Sequence, residues 1–362
     1  MFCKSIPEFG PEGARNITQA EMIALLRPLA RRMLFSKTMA LYLVTGAAGF
    51  IGSNLVRALL SEGQQVRGID NFATGKPENL AGLESQIDFR ESDILDLDAL
   101  RSAMEGVDYV LHQAALGSVP RSIADPVRSN RANVEGTLNV LVAARDAKVR
   151  RLVHASSSSV YGDTPTLPKR EDMPPNPISP YSVSKLAAEL YVRTFYRVYG
   201  LPTVCLRYFN IFGPRQLWDS QYSAVLANFI TRMLRGQTPT IFGDGEQSRD
   251  FTFVGNAVSA NLLAATAPVD QVAGRFFNIA TGTRISLNHT VKLLKQLTGY
   301  EGPIDHGPER AGDVKHALAD IALAEKHLGY TPAVAFEEGL RRTVEWYRNR
   351  TQSQPSSLTV AG

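Results

Sequence analysis

Thr45-Gly46-Ala47-Ala48-Gly49-Phe50-Ile51-Gly52 is the stretch that decides the fold. It follows a short apolar run, 40–45, and precedes a run with helical spacing, 53–60, so it falls where a first strand turns into a first helix. Its three glycines suit that junction in different ways. Gly46 can take a tight turn, Gly49 lets the backbone approach a pyrophosphate, and Gly52 lets helix and strand pack closely, while the helix N-terminus meets the phosphate charge. Glycines also gather in plain turns, and the flanking strand and helix are what give this pattern its meaning.

Outward from the cradle, apolar runs at 65–70, 87–90, 109–112 and 151–155 read as strands, and 127–147 reads as one long helix. Strands alternating with helices imply a parallel sheet covered on both faces. Asp70 ends the second strand 24 residues after Gly46, the separation expected of the acid that binds the adenosine ribose hydroxyls, which favours NAD over NADP. The plainer alternative is a solvated aspartate in the turn Asp70-Asn71. Asp93-Ile94 after the third strand would meet the adenine edge, or is an ordinary loop.

Beyond Arg207 the pattern loosens, with Pro214, Pro239, Gly243, Gly245 and Pro303 dividing the chain into shorter pieces. The segment 250–267 followed by 276–279 reads again as helix then buried strand, so the chain is expected to cross back to the first sheet. The expected fold class is α/β, a doubly wound parallel Rossmann sheet with a smaller C-terminal α/β substrate lobe. Its parts would be an N-terminal extension (1–38), an NAD-binding Rossmann domain (39–210, with a return segment at about 246–280), the smaller lobe (211–245 and 281–350) and a tail (351–362). Length alone fits two domains or one large domain with an appended lobe equally well. In the extension, Thr18 and Glu21 are spaced as a capping box and Ile23, Leu25, Leu26 and Leu29 form an apolar face broken by Pro28. Met39 stands immediately before the first strand, so whether the extension belongs to the working protein stays open.

Composition narrows the function classes. The 362 residues are 44% hydrophobic and 20% charged, an ordinary globular balance, and 39 basic against 35 acidic residues leave a net charge of +4. That is too mild for a nucleic-acid partner, and the densest basic group, Arg27, Arg31, Arg32 and Lys37, reads as the solvated face of a helix. Two cysteines, Cys3 and Cys205, provide neither a disulfide framework nor a four-ligand zinc site, so no metal is expected and a reducing cytoplasm is the simplest setting. No stretch approaches the ~18 apolar residues of a membrane span, nor does the N-terminus carry the apolar core of a signal peptide, so no membrane partner is expected.

The chemistry concentrates around Ser179-Pro180-Tyr181. Ser179 is placed to cap a helix over 180–199, with Pro180 in its first turn and Gly200 just past its end. Tyr181 and Lys185, four apart, share one face. An ammonium and a nicotinamide cation nearby would stabilise the phenolate and make Tyr181 a usable base. By spacing alone the pair is common on helices. Its context is Ala155-Ser156-Ser157-Ser158-Ser159-Val160-Tyr161-Gly162, which brings hydroxyls to the carboxyl edge of the sheet, where ligands bind in such folds.

Over residues 40 to about 347 the chain resembles the extended short-chain dehydrogenases and, among them, the UDP-hexose 4-epimerases. The motifs that carry the resemblance are TGAAGFIG, HQAALGSVPRS (112–122), SSSSVYG, YSVSK, LRYFNIFGPRQ (206–216), GDGEQSRDF (243–251) and ERAGDVKHALAD (309–320), and 112–122 looks most like bacterial UDP-N-acetylglucosamine 4-epimerases. The resemblance implies Tyr181 as base, Lys185 as holder of the nicotinamide ribose, and Ser157, four residues before Tyr161, as the hydroxyl on the sugar O4 with Ser159 nearby. NAD would be held by Gly46, Gly49, Phe50, Ile51, Gly52, Asp70, Asn71, Asp93, Ile94, Ala114 and Ala115 together with Tyr181 and Lys185. A UDP-sugar would meet Gly117, Ser118, Asn210, Arg249, Arg310, Asp313 and Ala317. Arg249 paired with Asp250, and Arg310 with Asp313, are the bland alternatives.

Related dehydratases carry an Asp-Glu pair before the Tyr-Gly dipeptide, and UDP-glucuronate decarboxylases usually place Glu at the second position. Here Ser158 and Ser159 stand there, so elimination lacks its acid and base. The small Ala317 stands where the epimerases gate the sugar, which implies room for an N-acetyl group without rejecting the plain hexose. A UDP-uronate stays open, as does a non-catalytic NAD-binding sensor or scaffold, against which the full Ser157, Tyr181 and Lys185 set argues. The resemblance also implies a homodimer joined through helices 127–147 and 180–199. A rival reading buries both helices within one chain.

Overall fold

The computed structural model describes residues 39–216, 225–309 and 315–353. The expected helix with Thr18 and Glu21, the basic group at 27–37, and Cys3, Arg310 and Asp313 lie outside them. Seven parallel strands form the central sheet: β1 (Leu41–Thr45), β2 (Gln65–Asp70), β3 (Asp88–Glu91), β4 (Tyr109–His112), β5 (Arg151–Ser157), β6 (Thr203–Tyr208) and, after four short strands described below, β11 (Arg275–Ile279). Their order is β11-β6-β5-β4-β1-β2-β3. The strand order therefore reverses between β1 and β4, which opens a crevice at their carboxyl ends.

Alternate residues of each strand serve opposite covers. Tyr42, Val44, Leu111, Val153, Val204, Leu206, Phe277 and Ile279 pack with Leu55, Val56 and Leu59 of helix α1 (Phe50–Ser61) and with Ala257, Ala260 and Ala264. Leu43, Val110, Leu152 and Cys205 face the other way, onto Leu100, Val140, Leu141, Val192 and Phe195. Both layers are fully or nearly water-free, and each buried Leu or Val contributes about 1.5–3 kcal/mol of transfer free energy. The returning helix and strand foreseen after residue 250 are Val254–Thr266 and β11, and β11 pairs with β6 in parallel.

The foreseen 127–147 helix is interrupted. Pro126–Asn130 and Gly136–Asp146 are α-helical, and Arg131–Glu135 between them is a π turn. The π turn carries a tertiary anchor. The buried Asn133 side chain accepts from the Leu116 amide at 2.7 Å and donates to the Leu116 carbonyl at 3.2 Å and to Ser184 Oγ at 2.9 Å, bonds that local periodicity does not encode.

The C-terminal elements gather around a separate cluster in which Phe212, Phe251, Phe253 and Phe336 meet ring to ring at 5.3–6.2 Å, backed by Leu294, Leu340 and Val344. Three two-stranded pairs frame it: β7 (Ile211–Phe212) with β10 (Thr252–Phe253), β8 (Thr240–Phe242) with β13 (Asp305–Gly307), and β9 (Ser248–Arg249) antiparallel to β12 (Ile285–Ser286). Among the described residues no helix is long and apolar enough to cross a membrane.

Candidate active site

One cleft of about 1300 Å³ opens at the β1–β4 reversal, and every foreseen site residue within the described chain lines it. On its nucleotide side the glycines are demanded sterically. Gly46 has φ +70°, and a Cβ there would lie 2.8 Å from the Ala114 amide nitrogen. A Cβ on Gly52 would lie 2.0 Å from the Gly46 carbonyl oxygen, so the close packing at Gly52 is against the loop at Gly46 and Ala47. Gly49 caps α1 without a side-chain hydrogen bond, which leaves the first-turn amides for an anion.

Asp70 is buried at the end of β2. Its carboxylate accepts from the amides of Ala48 (2.9 Å) and Phe72 (2.8 Å), and burial pushes its pKa up while those amides pull it back. A carboxylate has lone pairs beyond these two bonds, which suits two vicinal ribose hydroxyls. The sequence did not single out Gly75, where a Cβ would stand 2.8 Å from both Asp70 oxygens. Asn71 donates to Asp93 at 2.7 Å, and Ile94 packs against Gly136. This cradle, with an uncapped helix end and a buried acceptor, fits NAD.

The helix Pro180–Tyr199 forms as its signals foretell. Ser179 and Ser182 close a reciprocal capping box, Pro180 opens the first turn, and Gly200 ends it with φ +71°. The Tyr181 amide donates to the buried Ser122 Oγ at 3.0 Å, which ties the first turn of this helix to the short helix Val119–Ala124. Lys185 is buried and its Nζ donates to the Ala155 carbonyl at 2.9 Å; burial draws its pKa down to about 8. Burial raises the Tyr181 phenol, and a hydrogen bond from Ser157 lowers it in part. Ser157 Oγ also accepts from the Ser159 amide at 3.2 Å. Ser159 Oγ is buried with no protein partner. Ser157, Tyr181 and Lys185 thus converge from β5 and one helix.

Sequence reasoning missed the support beneath this group. Glu189 (0% exposed) takes two bonds from Arg207, at 2.9 and 2.6 Å, and one from Ser156 Oγ at 2.8 Å, while the guanidinium lies 3.9 Å over the Phe276 ring. A paired acid and base eighteen positions apart on a helix and the next strand leave no local signature.

On the opposite wall stand Asn210, Arg249 and Ala317, with Gly117 and Ser118 at the loop that caps the crevice. Asn210 holds φ +39° and donates to the Asp250 carbonyl at 3.3 Å. The suggested pairing of Arg249 with Asp250 gives way to another arrangement. Arg249 donates to the carbonyls of Ser248 and Lys315 at 3.1 Å each, and the Asp250 carboxylate is occupied by Thr281, Gly282 and Ala319.

The chain is similar to known proteins over most of its length. Residues 42–280 match the NAD dependent epimerase/dehydratase family. A UDP-glucose 4-epimerase of Mycolicibacterium smegmatis is 40% identical over 86% of this chain and 99% of its own length. Among solved structures, the Thermotoga maritima UDP-glucose 4-epimerase with UDP-glucose is 39% identical with a TM-score of 0.81 over 86% of this chain and 99% of that one. The UDP-N-acetylglucosamine 4-epimerase of Methanobrevibacter ruminantium, in complex with UDP-N-acetylmuramic acid, is 38% identical with a TM-score of 0.82 over the same shares. On these similarities, with a glycine cradle, a buried Asp70 and the Ser157–Tyr181–Lys185 group in one cleft, the chain belongs to the NAD-dependent epimerase/dehydratase family, as an NAD-using enzyme of its 4-epimerase branch.

Proposed function

We propose that the protein interconverts the C4 epimers of a UDP-hexose through a transient 4-keto sugar, with UDP-GlcNAc/UDP-GalNAc as the main pair and UDP-Glc/UDP-Gal also accepted. The observation that carries this reading is that, among the described residues, no carboxylate without a partner lines the cleft beside Ser157 and Tyr181. Of the described acids lining the cleft, Asp70 is bonded to Ala48 and Phe72, Asp93 to Asn71 and Leu95, and Asp125 to the Arg128 amide. Ser158 and Ser159 occupy the positions an elimination would need for acid and base. Oxidation and reduction at one carbon need only a proton relay and a hydride partner.

NAD, held by the Gly46–Gly52 amides, Asp70 and Lys185, supplies a reversible hydride acceptor. Ser157 orients the sugar O4 and Tyr181 takes its proton and later returns it. Lys185, positively charged below about pH 8, steadies the phenolate and the ribose. Inversion requires the ketone to present its other face while the nucleotide stays fixed. Arg249 suits the diphosphate as a planar multiple donor, with Asn210 beside it and Arg310 and Asp313 as further contacts implied by the resemblance. Ala317 leaves space for the N-acetyl group.

The enzyme is read as a cytoplasmic homodimer. Cys205 is a buried free thiol, compatible with a reducing compartment. Val183, Leu190 and Val198 form an exposed apolar stripe on helix Pro180–Tyr199, next to exposed Ile123 and Val127, a face that a second copy would cover. Sedimentation of the purified protein tests this, and a monomer at micromolar concentration would contradict it. The function is tested by incubating the protein separately with UDP-GlcNAc, UDP-Glc and UDP-GlcA and resolving the products. Conversion of the N-acetylated sugar is expected, and conversion of the uronate alone would overturn the substrate assignment.

A further inference from the structure

The wall that carries Ala317 is an extended segment held at both ends by buried groups. At its start, the Ser248 amide donates to the Lys315 carbonyl and the Ala317 amide to the Ser248 carbonyl, both at 3.0 Å. At its end, the Ala319 amide donates to Asp250 Oδ2 at 3.3 Å, and Asn278 Nδ2 donates to the Asp320 carbonyl at 3.1 Å. Ala317 lies between these attachments.

Asp250 does more than hold Ala319. It is 0% exposed, and its carboxylate also accepts from the Thr281 amide (2.8 Å), Thr281 Oγ1 (2.7 Å) and the Gly282 amide (3.0 Å). Its carbonyl accepts from Asn210 Nδ2 at 3.3 Å, and its chain neighbour is Arg249. Three cleft-lining residues therefore meet at one residue: Asn210 through the Asp250 carbonyl, Arg249 as its chain neighbour, and Ala317 two positions from Ala319, which the buried Asp250 carboxylate holds. Four donors converging on one anion make charge-assisted bonds, which are stronger and directional, so the carboxylate can fix the spacing of the segments that supply them.

We propose that Asp250 is the positioning residue of the sugar side: it sets the separation between the Asn210–Arg249 face and the Ala317 wall, and with it the choice between 2-hydroxyl and 2-N-acetyl sugars. This rests on the epimerase reading and deepens it. An amide in place of the carboxylate cannot satisfy the site, because each oxygen accepts two of the four bonds and an NH2 at either position would confront two donors. The wall would then relax by losing at least one bond while the cofactor cradle, built from residues 46–75, keeps all of its own.

The test compares wild type with Asp250→Asn and Thr281→Val, each purified with its NAD. KM and kcat are measured for UDP-GlcNAc and UDP-Glc, and bound NAD is quantified after acid release. Asp250→Asn is expected to raise KM about tenfold and to change the ratio of the two KM values, with kcat within about threefold and NAD content unchanged. Thr281→Val, which removes one donor, is expected to move KM in the same direction by about twofold to threefold. Wild-type KM values and ratio in either folded variant would overturn the proposal, as would a loss of kcat in step with lost NAD. If Asp250→Asn does not fold, Thr281→Val decides. If wild type converts neither sugar, the epimerase reading fails instead, and UDP titrated calorimetrically then reports the wall: weaker binding to the variants supports the role of Asp250, and equal binding overturns it.

Discussion

The nucleotide side of the cleft and its sugar side are built by different means. On the nucleotide side the chain meets itself over short distances: Gly46, Gly49 and Gly52 shape one loop, and Asp70 binds the Ala48 and Phe72 amides. Its constraint is steric, a requirement for no side chain at three positions. On the sugar side Asn210, Thr281 and Ala319 come from three separate segments and are joined through Asp250, the chain neighbour of Arg249. Its constraint is polar, a requirement for one buried anion. A steric rule of this kind fixes the shape of the loop whatever the solvent does, whereas a polar junction fixes spacing only through the bonds it makes.

The strongest way to break this contrast is Gly52→Ala. With the Gly46 oxygen 2.0 Å from the new Cβ, neither loop nor helix can yield without moving the cradle, and a stability loss of more than about 3 kcal/mol with failure to retain NAD is expected in denaturant melts and cofactor assays. A stable, NAD-loaded variant would show that the nucleotide side is not sterically set.

Beneath both sides lies the Glu189–Arg207 pair. Arg207→Met would leave the fully buried Glu189 carboxylate with Ser156 alone, and about 3 kcal/mol of destabilisation is expected, measured as a lower denaturant midpoint. Adding Glu189→Met should recover most of it. No recovery would mean that the pair's worth lies in packing over Phe276 and Tyr161 rather than in charge.

Ala317→Tyr sharpens the sugar side. It should lower kcat/KM for UDP-GlcNAc relative to UDP-Glc by at least about tenfold, the range that filling a small pocket produces, and equal effects on both sugars would remove Ala317 from the selectivity account. The smallest expected effect concerns pH. Burial lowers the Lys185 pKa to about 8, so between about pH 8 and 10.5 the unfolded chain holds a proton that the folded chain has released. Folding stability contributed by Lys185 therefore rises with pH across that window. Lys185→Met should flatten that rise in melts of the cofactor-free protein, and an unchanged slope would contradict it.

Legibility in the sequence follows the same division. The cradle, the alternating strands and the capped helix over 180–199 depend on contacts within a few residues, and they form where Gly46, Asp70 and Ser179 point. The π turn within the 127–147 helix holds Asn133, whose partner Leu116 is 17 positions away, and the wall at Ala319 is bonded to Asp250, which reaches residues 31 to 69 positions away. Polar residues of this sort look like surface residues in a linear reading because nothing nearby in sequence announces their donors. Arg249 shows the consequence: its nearest acid in sequence, Asp250, is already filled by other donors.

The most direct measurement is turnover of UDP-GlcNAc by the NAD-loaded protein and by Tyr181→Phe, with products resolved chromatographically. The account predicts a mixture of UDP-GlcNAc and UDP-GalNAc from wild type and a loss of kcat of about a thousandfold in the variant, whose NAD content stays full. Full activity in Tyr181→Phe, or no C4 epimer from any UDP-hexose with wild type, would contradict it.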